Sequence, residues 1–155
     1  MKFVSKNYKA ALLSAMLLTG GTTVLAENAY AEEYAVIVNA ENDYSAPKGQ
    51  MEEVVRRIFL KQQTNWPNGI EGAPFARGDM PAQEAFNKAI LDMDNAAFSD
   101  YWIKMKQAEG TVEPRSVGST SILVRQIGRH KGGFSVVPAA TELSGDVRTL
   151  FTFNQ

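Results

Sequence analysis

Met51, Val54, Val55, Ile58 and Phe59 fall at i, i+3, i+4, i+7 and i+8, so they share one face of a helix that needs an apolar surface beneath it. Glu52 and Glu53 near its start and Arg56, Arg57 and Lys61 toward its end match the helix dipole. The helix runs into the polar connector Gln62 to Asn65, and Trp66 is then set against Pro67-Asn68-Gly69. Pro67 fixes its own φ and biases Trp66 toward an extended conformation, while Asn68-Gly69 is a strong turn signal. A one-faced helix followed by a stiff aromatic turn limits this stretch to lying across another layer of structure.

Short apolar runs supply that layer. Tyr34-Ala35-Val36-Ile37-Val38-Asn39 is long enough for one buried strand, and a polar loop from Ala40 to Gly49 follows it. Ala73 to Ala76 reads as a short edge strand. Pro81 suits the first position of a helix lined by Ala82, Phe86, Ala89, Ile90 and Met93. Asp94 or Asn95 caps the next, which carries Phe98, Tyr101, Trp102 and Met105 on one side and stops at Gly110. Ser119 or Thr120 caps a fourth helix bearing Ile122, Leu123 and Ile127. Gly132-Gly133 turns into the strand Phe134 to Val137, and Val147, Thr149, Phe151 and Phe153 alternate with polar neighbours as in a half-buried strand. Strands separated by helices predict an α/β domain with a mixed β-sheet flanked by helices.

The N-terminus reads as an export signal. Lys2, Lys6 and Lys9 precede a short apolar run, Ala10 to Leu18, and Ala29-Tyr30-Ala31 is an Ala-x-Ala cleavage site, with a second candidate cut after Ala26. The apolar run is shorter than the ~20 residues of a bilayer-spanning helix. The division expected is residues 1–31 as signal peptide and 32–155 as one domain, exported to the periplasm. Removing Lys2, Lys6, Lys9 and Glu27 takes the formal charge from −1 to about −3. That balance gives no electrostatic reason for nucleic acid as a partner. With no cysteine, stability rests on the core alone, and thiolate catalysis and thiolate metal sites are excluded. The single histidine, His130, sits between Arg129 and Lys131, a solvated basic turn with no second histidine to share a metal. No nucleophile elbow, His-Glu-x-x-His, phosphate-binding loop or dinucleotide fingerprint is present, so no enzyme and no cofactor are expected.

The segment Ile58-Phe59-Leu60-Lys61 through Trp66-Pro67-Asn68-Gly69 resembles the "IFxGKxxxWxNG" stretch of phosphate-type substrate-binding proteins of bacterial ABC importers. Val36 to Ala40 resembles their "VVVNxxN" strand, Phe86 to Leu91 the helix after their anion loop, and Tyr101-Trp102 their "yWxxxxF" helix. Val117-Gly118-Ser119 through Val137 resembles the stretch that ends in "pGaIGYV". The likeness implies a type II periplasmic-binding-protein fold, and the mature length implies one lobe where the complete proteins have two. It also implies a small oxyanion, phosphate first, held weakly in a half-cleft, and an ABC permease as partner. In that pattern an Arg is followed by a Ser-Gly-Thr turn at a helix N-terminus; here the stretch reads Arg77-Gly78-Asp79-Met80-Pro81-Ala82-Gln83. Met80 and Ala82 stand where hydroxyl donors belong.

Six residues follow as candidate ligands. Arg77 can hold an oxyanion bidentately, with Gln83 as a second donor, although Arg77 equally suits a surface pair with Asp79. Asn39 and Ser45, with Asn42, can line a cleft or shape the loop after the first strand. Ser119 and Thr120 can offer hydroxyls to a ligand or cap their helix. The alternative reading is an envelope interaction or sensory module that keeps the scaffold and meets a membrane sensor, a transporter or another copy of itself. Its contact face would expose Trp66 and nearby apolar groups.

Overall fold

The computed structural model describes residues 31–155 apart from residue 79. The residues expected to form an export signal, up to residue 30, lie outside the described residues. In chain order the elements are β1 (Glu33–Asn39), α1 (Lys48–Phe59), β2 (Ala73–Pro74), α2 (Pro81–Phe86), a π-helical turn (Asn87–Leu91), α3 (Asn95–Glu109), α4 (Thr120–Arg129), β3 (Gly133–Pro138) and β4 (Val147–Asn154). The strands form one sheet in the order β2-β3-β1-β4. β1 is central and antiparallel to both neighbours, while β2 joins β3 in parallel at one edge, so the sheet is mixed as expected.

Side chains alternate across β1, and each set finds its own cover. Tyr34, Val36 and Val38 point to a large core with Phe134 and Val136 of β3, closed by Val55, Ile58 and Phe59 of α1, by Phe86 and by Trp102. Phe59, 1 % exposed, meets the rings of Phe86, Phe98 and Phe134 at 5.0, 6.3 and 6.3 Å. Full burial of such a ring contributes roughly 1.5–3 kcal/mol. Ala35 and Ile37 point the other way, to a smaller core with Val137, Val147, Leu123 and Ile127 under α4. Both faces of the sheet are thus apolar, which is why β1 reads as an unbroken apolar run.

Several local expectations change. α1 begins at Lys48, which leaves Glu52 and Glu53 beyond the first turn, away from the helix dipole. Glu53 instead holds Arg57 at 2.6 Å and Arg56 at 2.9 Å, and the Arg57 hydrogen bond leads in lowering its carboxyl pKa. The helix from Pro81 widens into a π turn after Phe86 and ends at Asp92, whose φ is 56°. The wider turn leaves Ala89 exposed and buries Leu91, against the straight-helix expectation. In α4, Leu123 and Ile127 face the core, and Ile122, one position away, is 42 % exposed. β4 alternates, but not on one register. Val36 pairs with Phe151 and Ile37 with Thr149, so Leu150 is an extra residue in a bulge. Val147 therefore belongs to the smaller core, and Phe151 and Phe153 to the larger one.

Trp66 is 1 % exposed, which removes it from any contact face. Its backbone N–H donates to the Ile70 carbonyl at 2.8 Å and its Nε1 to the Gly132 carbonyl at 3.2 Å, and its ring lies edge-on to Phe134. Gly69, at φ 85°, closes the turn by donating to the Trp66 carbonyl. Pro67, Asn68 and Gly69 stay exposed, so the stretch between α1 and β2 is a surface turn pinned by one buried indole.

Candidate functional site

Arg77 follows a stretch where Ala76 is zipped to the 115–117 segment: Ala76 N donates to the Arg115 carbonyl and Val117 N to the Ala76 carbonyl. That pairing turns the Arg77 side chain toward α4. Its guanidinium donates to the Val117 carbonyl at 3.0 Å and to Thr120 Oγ1 at 2.9 Å, with the residue 1 % exposed. Burial pushes its pKa below the ordinary arginine value. A cation beside a helix N-terminus gains nothing from the dipole, so these hydrogen bonds are what hold it. The expected alternative pairing with Asp79 lies outside the described residues.

The backbone of Arg77 opens a second arrangement on the other side. Arg77 N donates to Gln83 Oε1 at 2.7 Å, Gln83 Nε2 to Asn87 Oδ1 at 2.8 Å, and Asn87 Nδ2 to Asn95 Oδ1 at 3.4 Å. Gln83 and Asn87 are 3 % and 2 % exposed. The spacing i, i+4 places both amides on one side of the helical segment. They form the floor of a cleft of about 290 Å³, whose walls include Gly78, Phe98, Ser99, Glu113 and Ser116. Among the described residues lining it, none is Lys, Arg or His. Glu84 also lines it and is paired with Lys88 at 2.8 Å.

The six sequence candidates thus divide. Arg77 joins Gln83 through its backbone and Thr120 through its side chain, and only Gln83 reaches the cleft. Ser119 caps α4 by accepting from Ile122 N at 3.4 Å and also meets Ser121 Oγ at 3.0 Å. Thr120 lines a separate open groove of about 690 Å³ along α4, with Arg125, Arg129, Glu142 and Asp146. Asn39 lies at the far end of that helix. Its Nδ2 donates to the Ile127 and Gly128 carbonyls at 2.9 and 3.0 Å, and its Oδ1 accepts from Glu41 N. Ser45 is exposed on the loop, which Arg148 ties down by donating to the Asn42 and Tyr44 carbonyls. Asn42 is fully buried and accepts from Asn68 Nδ2 at 2.9 Å.

The sequence reading missed Asn87, Asn95, Ser99, Glu113 and Ser116 as a group. A signal existed for two of them: Gln83 and Asn87 interrupt an apolar helix face four residues apart, as a buried polar pair does. His130 is exposed and lies against Phe75, with ring centres 5.9 Å apart. No group of acidic or histidine side chains among the described residues could hold a metal ion. No described helix is long and apolar enough to cross a membrane.

Fold and cleft together define an α/β domain with a polar half-cleft beside its sheet. No family model matches the chain, and no curated protein matches it. Among solved structures it is similar to an ABC-type phosphate transport receptor from Vibrio cholerae, with 15% identity and a TM-score of 0.47 over 77% of this chain. The chain spans 46% of that receptor. At that identity and score, the function has to be argued from the site.

Proposed function

We propose that this chain is an exported solute-binding-type domain, a single lobe of the type II periplasmic-binding-protein kind, which holds a small polar solute in the cleft over Gln83 and Asn87. The observation that carries this reading is the chain of amides running from Arg77 N to Asn95, buried at one end and open to a cleft at the other. Buried polar groups are usually spent on the fold; this line of them stops at a space sized for a small solute. The ordered resemblance between Val36 and Val137 supports the same reading and puts phosphate first among solutes to test. With the Arg77 guanidinium committed to Val117 and Thr120, phosphate would rest on amides and hydroxyls alone. One lobe leaves the far side of any ligand in water, so binding near 1 mM, about −4 kcal/mol, is the scale to expect. Calorimetric titration of residues 32–155 with small solutes tests it. Saturable heat that Ser99→Ala and Ser116→Ala weaken supports the proposal, and its absence for every solute tried ends it.

A specific observation keeps the interaction-module reading as a second one. Ile103 and Val112 are 54 % and 60 % exposed and border a shallow groove over Trp102 that shares Ser99 and Glu113 with the cleft. A protein that sediments as a monomer at high concentration and retains no envelope partner would rule this out.

A further inference from the structure

The direction of the amide chain fixes what the cleft offers. A backbone N–H can only donate, so the Arg77 amide makes the Gln83 atom facing it the oxygen. Gln83 must then present Nε2 to Asn87, and Asn87 must present its own NH2 group toward Asn95. The chain therefore ends on a donor, 2 % exposed, whose partner Asn95 Oδ1 is exposed and stands at 3.4 Å, the long limit of a hydrogen bond. A better-placed acceptor in the cleft would complete it. Ser99, Ser116 and Glu113 line the same cleft, where the Glu113 carboxylate asks for a donor in return, and Phe98 adds an apolar side chain to the lining.

We infer, resting on the binding reading above, that the cleft selects a neutral polyhydroxylated solute of monosaccharide size over a free oxyanion. The hydroxyls of a polyol can both accept, as Asn87 Nδ2 requires, and donate, as Glu113 requires, and the C–H side of a sugar ring can lie on Phe98. Phosphate accepts from Asn87 equally well but brings its charge against Glu113, with no cation among the described lining residues to balance it. The volume of about 290 Å³ suits one small ring and no more.

The experiment titrates residues 32–155 with glucose, galactose, mannose, inorganic phosphate and sulfate, followed by calorimetry and by the side-chain NH2 resonances of Asn87 and Asn95. The expected result is saturable binding of at least one neutral sugar that shifts both resonances, with phosphate at least tenfold weaker. Asn95→Ala, an exposed change, should move the Asn87 resonance without altering the fold. Glu113→Gln should narrow the sugar-to-phosphate ratio by raising phosphate affinity. Phosphate binding in the same cleft, sensed by Asn87, with no sugar binding up to about 10 mM overturns this inference and leaves the solute-binding reading standing. No saturable shift from any of the five ligands overturns both.

Discussion

Replacing Arg77 by Met separates a ligand clamp from a structural pin. Met keeps most of the unbranched stem and removes the guanidinium, so little cavity is left. Thr120 is half-buried and its hydroxyl can turn to water, but the Val117 carbonyl bonded at 3.0 Å is buried and is left without its donor. An orphaned buried acceptor costs about 1–3 kcal/mol, and losing a hydrogen bond from a charged donor about 1.5–3 kcal/mol. Relief from burying a charge offsets part of this, so a net loss of about 2–4 kcal/mol is expected. For a domain of this length, at ~4 °C per kcal/mol, Tm should fall by about 8–16 °C. Thermal denaturation followed by circular dichroism reads this directly. Arg77→Lys should lose an intermediate amount, because one ammonium cannot span both acceptors in the guanidinium geometry. A Tm within about 2 °C of the parent, together with loss of phosphate binding, would refute the argument and return Arg77 to the role of a clamp.

Asn39→Ala removes two hydrogen bonds to the end of α4 and one from Glu41 N in the loop after β1, and should cost about 2–4 kcal/mol in denaturant unfolding, with solute binding at the cleft unchanged. Gly132→Ala should prevent folding, because a Cβ there would land on the Glu71 carbonyl; soluble, cooperatively melting protein would contradict the close approach of β2 to this turn. Burial, with Glu32 adding to it, pushes the Tyr34 hydroxyl up to about 12 from 10. The unfolded chain therefore loses that proton first, so stability is complete below pH 10 and declines between pH 10 and 12. Tyr34→Phe should flatten that decline; an unchanged alkaline profile would show that other groups set it.

What could be read from the sequence was mostly what a few neighbouring residues decide. β1, α1 and the Asp94 and Ser119 caps depend on local pattern and capping chemistry, and each is present. Long-range pairing decided the rest. Arg77 looks like a ligand in a window of seven residues, and only the zipper to residues 115–117 turns its side chain toward α4. Trp66 sits in a polar context, yet Tyr44, Phe134 and the Gly132 carbonyl, all distant in the chain, enclose it. The widened turn after Phe86 has no propensity signature, and it is what exposes Ala89 and buries Leu91. The cleft was missed because its members come from four separate segments, and Gln83 alone was visible as a candidate.

The extra residue at Leu150 makes β4 a reader of both sides of the sheet. Because the chain steps by one there, a single strand hands its first half to one hydrophobic compartment and its second half to the other. On a regular strand Val147, Thr149, Phe151 and Phe153 would all share the face turned toward α4; the bulge at Leu150 is what lets Phe151 and Phe153 cross to the larger core. A chain without Leu150 would keep Phe151 opposite Val36 and Phe153 opposite Tyr34 on an unbroken ladder, so the strand carries its extra residue without spending a core position on it.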